Sequence, residues 1–145
     1  MRKFDMPGRS PVVAENGMAA TSHPLATASA ISVLRDGGNA VDAAIAAAAT
    51  LAVVEPHMTG IGGDCFVIVA EPDGTLHGLN GSGRAPAGAH AAWYRERGFT
   101  EIPATGPHSV TVPGAIKAWE VLSQRFGTRG FEALFTDAIR YAEDG

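Results

Sequence analysis

The residues best suited to chemistry in this chain lie in Gly81-Ser82-Gly83-Arg84-Ala85-Pro86. A guanidinium holds a carboxylate through two parallel hydrogen bonds and keeps its charge at any physiological pH. Two glycines beside Arg84 would leave it exposed, with backbone amides and the Ser82 hydroxyl open to an anion. Arg84 and Ser82 are therefore the candidate substrate-binding residues.

Other reactive side chains carry weaker signals. Gly60-Ile61-Gly62-Gly63 is a glycine loop whose amides could cradle an anion. It lacks the Gly-Lys-Ser/Thr ending of a phosphate loop and leads into a strand, so a tight backbone crossing is the expected role. Gly62 and Gly63 are then expected to be backbone-critical, through φ > 0 or close chain approach. Asp64 either orders that loop by accepting backbone hydrogen bonds or sits in solvent.

The five histidines show no HxxxH pair and no carboxylate at ligand spacing, so neither a metal nor a cofactor is expected. Cys65 heads an apolar run, where a cysteine reads as a small buried hydrophobe rather than a nucleophile. A threonine acts as nucleophile with its own amine as base only once it is a chain terminus, and Thr21 has only 20 residues before it and a helix starting at Pro24 almost at once. Residues 1–145 thus hold no expected catalytic residue, and by themselves they are expected to be inactive.

The elements that position these residues follow from punctuation and period. Pro24 opens a helix in which Leu25, Ala28, Ile31 and Leu34 line one side, until Gly37-Gly38 ends it. A short strand is expected around Met18–Thr21. Asn39 is a good N-cap, and Asp42 stands where its carboxylate can answer a backbone donor and the helix dipole. From Ala43 to Val54 only Thr50 is polar, so that helix should be wrapped by protein on every side. It is too short to cross a bilayer.

Cys65–Ala70 is a continuous apolar run of strand length, expected to be buried on both faces. Glu71-Pro72-Asp73-Gly74 has the chemistry of a type I turn, with Thr75–Asn80 as the returning strand. Ala87–Arg97 should hold a short helix with Trp93 and Tyr94 inward. Gly114–Phe126 reads as an amphipathic helix with Ala115, Ala118, Trp119, Leu122 and Phe126 on one stripe. Phe131–Asp144 reads as another, with Phe131, Leu134, Phe135, Ala138, Ile139 and Ala142 on one face and Gly145 as its C-terminal glycine. Antiparallel strands with segregated helices make an α+β arrangement.

Composition narrows the function classes. At 145 residues, 46% hydrophobic and 18% charged, the chain is globular and fits one domain. A net charge of −4 with scattered lysines and arginines offers no stripe for nucleic acid, and no segment suggests a membrane partner. One cysteine excludes an internal disulfide. The first ten residues lack the apolar stretch of a signal peptide, which points to a cytoplasmic location.

Taken together, His23-Pro24-Leu25-Ala26, Gly37-Gly38-Asn39-Ala40-Val41-Asp42-Ala43-Ala44 and Glu55-Pro56-His57-Met58-Thr59-Gly60-Ile61-Gly62-Gly63 resemble the opening of the gamma-glutamyltransferase (gamma-glutamyltranspeptidase) family. Leu79–Pro86 and Gly106–Gly114 agree, in consistent order. The resemblance implies part of the four-layer αββα sandwich of the Ntn hydrolases, with residues 1–12 a loose N-terminal tail and 13–145 the N-terminal segment of the large-subunit region. The chain is then a fragment of a longer precursor, and the remainder of that precursor is its partner.

The implied reaction is acyl transfer from a small-molecule γ-glutamyl or other amide donor. It runs through a threonine acyl-enzyme whose nucleophile lies outside this chain. Family members carry an arginine that grips the donor's α-carboxylate four residues before the proline, a position filled here by Ser82. Arg84 stands two before Pro86. Either it does the same job from a shifted backbone, or it is structural and glutamyl recognition is lost. An amide acylase of the same family with another acyl specificity is the alternative, and a non-catalytic degenerate homologue is the rival of a different class.

Overall fold

A computed structural model describes residues 12–145. The tail expected over residues 1–12 therefore lies outside the described residues, except for its last position.

Two helices form first in chain order because their leading amides find side-chain acceptors. In α1 (Pro24–Arg35), His23 caps the N-terminus through Nδ1, which accepts from the Leu25 amide at 3.2 Å, and Pro24 lacks the amide that would otherwise be orphaned. In α2 (Ala40–Val54), Asn39 Oδ1 accepts from the Val41 and Asp42 amides, while Asp42 Oδ2 accepts from the Asn39 amide at 2.9 Å. This is the expected reciprocal cap. Gly37, at φ +86°, makes the left-handed turn between the helices.

Asp42 does more than cap. It is fully buried and also accepts from the Thr128 amide (3.1 Å), the Thr128 hydroxyl (2.6 Å) and the Arg129 amide. Asn39 Nδ2 donates to the Phe126 carbonyl at 2.6 Å. The start of α2 is thereby bolted to the chain some 86 residues further on. Burial alone would raise the Asp42 carboxyl pKa. The hydrogen bonds from Thr128, Asn39 and Arg129 outweigh it and leave the pKa lowered.

The α1 face differs from the expected one. Ala26, Ser29 and Ala30 point inward, whereas Leu25 and Ala28 are exposed. The reason is close approach: the small residues of α1 pack on Ala43 and Ala47 of α2, and larger side chains there would hold the helices apart. Thr50 donates to Ser29 Oγ at 3.1 Å inside this interface. Residues 18–21 form no strand and pair with none among the described residues, contrary to expectation.

Strands β1 (Phe66–Ala70) and β2 (Leu76–Asn80) pair antiparallel, from Phe66 opposite Asn80 to Ala70 opposite Leu76. The turn between them closes as expected, with the Gly74 amide donating to the Glu71 carbonyl at 2.9 Å. The expectation that β1 is buried on both faces fails. Val67, Val69 and Leu79 pack inward, but Phe66 and Ile68 are 68% and 78% exposed. No layer among the described residues covers that outer face.

Helix α3 (Ala91–Glu96) is capped by His90 and carries Trp93 and Tyr94 half-buried in an aromatic cluster with Phe99 and His108. Helix α4 (Ala115–Phe126) buries Ala115, Ala118, Trp119 and Leu122, the expected stripe. The helix expected over Phe131–Asp144 is split: a 3₁₀ turn, Phe131–Phe135, precedes α5 (Thr136–Asp144). The tighter turn changes the phase, so Leu134 and Ala138 are buried while Ile139 and Ala142 face out. Gly145 is left-handed, as a C-terminal glycine should be.

The main core joins Ile45, Ala46 and Ala49 of α2 to Trp119, Leu122, Leu134 and Ala138, under the inner face of the hairpin. Helix α2 is not wrapped all round as expected. Ala40 and Ala44 are exposed along an apolar groove of about 480 Å³ between α2 and the free edge of β1. Among the described residues, five α-helices and one antiparallel hairpin make the α+β fold. None of these helices is long and apolar enough to cross a membrane.

Removing the Asp42 carboxylate should be costly. Asp42→Ala is expected to lose about 2–4 kcal/mol, since it leaves several part-buried donors without their acceptor. The sign of the pH effect follows from the lowered folded pKa. The stabilisation is complete above the ordinary aspartate value of 3.8 and fades as pH falls through the folded pKa. Denaturant titrations should therefore show the gap between wild type and Asp42→Ala narrowing below about pH 4. A gap that is constant with pH would contradict this role.

Candidate functional site

The two candidate residues sit on the loop that leaves β2, and that loop is held from three directions. The ladder runs one pair past the strands: the Gly81 amide donates to the Cys65 carbonyl at 2.7 Å, and the Cys65 amide donates back at 3.3 Å. Asn80 Oδ1 accepts from the Ser82 amide at 2.9 Å, a tight side-chain-to-backbone turn. Asp64 Oδ1 accepts from the Gly83 amide at 3.1 Å and from the Thr111 hydroxyl at 3.3 Å. The Val112 amide then donates to the Arg84 carbonyl at 2.9 Å.

These bonds alter the expected chemistry. The amides of Gly81, Ser82 and Gly83 are all consumed internally, so they are not open to an anion. What remains is the Ser82 hydroxyl and the Arg84 guanidinium, both exposed. They line a groove of about 590 Å³ closed on its other side by Pro113, Gly114 and Lys117. Lys117 is paired with Glu120, whereas Arg84 has no carboxylate partner among the described residues. Ser82 and Arg84 thus line one groove, with the guanidinium not paired to a carboxylate among the described residues.

Glycine works here, but not where the sequence placed it. Gly62 and Gly63 have neither positive φ nor backbone in the way of a side chain; the nearest atom to a Cβ at Gly63 would be 3.4 Å away. The crowded positions are Gly83, where a Cβ would lie 1.6 Å from the Val112 carbonyl oxygen, and Gly114, where it would lie 2.2 Å from the Gly81 carbonyl oxygen. Gly81 meets Ala118 and Cys65 in the same way. The Gly60–Gly63 loop is nonetheless a crossing: the Gly63 carbonyl accepts from the Gly114 and Ala115 amides at 3.1 and 3.0 Å, capping the start of α4.

The other reactive groups are structural. The Thr21 hydroxyl donates to the His23 carbonyl at 2.7 Å and lies 2.8 Å from Thr27 Oγ1, which fixes the entry to α1. Cys65 is half-buried against the core, and burial pushes its thiol pKa up, away from thiolate chemistry. His77 sits between Glu71 and Arg125. Among the described residues, no three His, Cys, Asp or Glu side chains gather as metal ligands.

An α+β layer presenting an exposed arginine at a strand end is the class that fold and site define. A family model for gamma-glutamyltranspeptidase matches residues 26–145, and the chain belongs to that family. It is 42% identical to the oxamate amidohydrolase proenzyme of Klebsiella pneumoniae over 92% of this chain and 26% of that protein. It is 40% identical to the glutathione hydrolase proenzyme of Bacillus subtilis over 92% of this chain and 24% of that one. The crystal structure of cephalosporin acylase from Bacillus halodurans superposes with a TM-score of 0.87 at 48% identity, covering 99% of this chain and 27% of the other. The chain therefore spans about a quarter of the length of these relatives.

The contact at Gly83 can be tested directly. Gly83→Ala should force main chain apart and lower stability by about 3 kcal/mol, whereas Gly88→Ala, with open space around it, should be near neutral. Melting temperatures of the two variants decide the matter. Equal shifts would mean that the Gly83 crossing is looser than described.

Proposed function

We propose that this chain forms the carboxylate-recognising part of an amide-cleaving acyl-transfer enzyme. Its donor would be a small amide with a free carboxylate, of the γ-glutamyl type. The carrying observation is Arg84: an exposed guanidinium with no acidic partner among the described residues, on a loop whose nearby amides are already satisfied. The names of two relatives support the reading, since oxamate and glutathione both join an amide to a free carboxylate.

In this scheme Arg84 orients the donor by bidentate contact, and Ser82 adds a hydroxyl donor. The acyl carbonyl is attacked by a threonine hydroxyl outside residues 1–145. The hydroxyl proton passes to that threonine's own amine and then to the departing amine of the substrate. An acyl ester remains, and water or an amino acid releases it. The remainder of the precursor would supply this nucleophile and cover the apolar groove beside α2 and the open face of β1.

A second reading is an acylase with a different acyl preference. It is favoured by Ser82 standing where the family pattern puts its arginine. Kinetics of the full-length enzyme separate the two. Arg84→Ala should raise KM for a carboxylate-bearing donor by the equivalent of roughly 2–5 kcal/mol, with Arg84→Lys recovering only part because an ammonium cannot make the fork. A carboxylate-free analogue should be indifferent to both changes. Equal losses for the two donors would assign Arg84 a structural role and favour the acylase reading.

A further inference from the structure

The loop that carries Ser82 and Arg84 is steered by a residue outside it. Asp64 lies at the end of the Gly60–Gly63 loop, nineteen residues before Gly83, yet its Oδ1 accepts from the Gly83 amide at 3.1 Å. The same oxygen accepts from the Thr111 hydroxyl at 3.3 Å, forty-seven residues ahead. One carboxylate oxygen therefore joins all three segments that meet at the groove. Its partners bracket the candidate site: Gly83 stands between Ser82 and Arg84, and Thr111 precedes Val112, whose amide holds the Arg84 carbonyl.

We infer that Asp64 is a positioning residue for donor recognition. By fixing the Gly83 peptide it sets the direction in which Ser82 and Arg84 leave the backbone. This rests on the proposal that Arg84 and Ser82 contact the donor. The physical case has two parts. An amide bonded to an ionised acceptor is held more firmly than one bonded to a neutral group. The Gly83 amide also has no other acceptor: the Asn80 bond to the Ser82 amide and the Val112 bond to the Arg84 carbonyl hold the residues on either side of it, and Asp64 alone holds the peptide between them. A small misplacement of a binding group is felt strongly at the reacting atoms.

Asp64 does not do this by stabilising the core. It is exposed, and its bonds join surface loops rather than buried elements. Its effect should therefore appear in substrate affinity before it appears in melting temperature. Asp64→Asn keeps an oxygen acceptor at the same place and serves as the conservative rescue, whereas Asp64→Ala leaves the Gly83 amide and the Thr111 hydroxyl without it.

The test uses the full-length enzyme with two donors, one carrying the carboxylate and one lacking it. Asp64→Ala should raise KM for the carboxylate-bearing donor about ten-fold, with a smaller change in kcat, and Asp64→Asn should recover most of that loss. The carboxylate-free donor should be unaffected. Combined with Arg84→Ala, the second change should add little, because the two residues act through one contact. Equal losses on both donors would overturn the inference, as would a fall in melting temperature with KM unchanged. If Arg84→Ala alone leaves KM unchanged, the clamp reading fails. A donor-selective effect of Asp64→Ala would then still stand and would be carried by Ser82.

Discussion

Gly81, Gly83 and Gly114 meet where no side chain can sit, and the placement of Arg84 follows from that contact. A Cβ at Gly83 or Gly114 would fall far inside van der Waals contact with a neighbouring carbonyl oxygen. The three loops at the end of the hairpin can therefore close on one another only as bare backbone. Once closed, they satisfy each other: Gly63 caps the start of α4, Asp64 takes the Gly83 amide, and Arg84 gives its carbonyl to Val112. The guanidinium is left over as the group that this mesh does not use.

Behind the mesh stands a second constraint, the buried Asp42. Its carboxylate closes the first turn of α2 and, through Thr128 and Arg129, fixes where the chain goes after α4. Helix α2 touches α1 on one side and α4 and α5 on the other, so its orientation is passed to the core that supports the hairpin. A charged group can be buried here because four hydrogen bonds from three residues surround it, which is the general condition for such burial. Core and site are thus organised by the same device, an acid that collects donors from distant loops.

Local chemistry was legible in the sequence, and contacts across the chain were not. The Asn39 and Asp42 cap, the turn at Glu71–Gly74 and the α4 stripe each follow from residues within a few positions of one another. Thr128 lies 86 residues from Asp42, and nothing local marks the pair. Gly62 and Gly63 looked more demanding than Gly83 and Gly114 because adjacency in sequence stands out, whereas close approach in space does not. The amides near Arg84 looked free because Asp64 is nineteen residues away, although the Asn80–Ser82 turn could have been read from spacing alone. The apolar run of β1 shows what its side chains tolerate on each face, not what covers them. Phe66 and Ile68 are accordingly open.

Amide hydrogen exchange resolved to single residues in the full-length protein tests the backbone mesh most directly. The amides of Gly81, Gly83, Val112 and Gly114 should be protected and should open together, and Asp64→Ala should release Gly83 while leaving Gly81 protected by Cys65. Exchange of Gly83 and Gly114 at the rate of Gly88, a position with open space around it, would show that the loops do not close on one another and that Arg84 is not held as described.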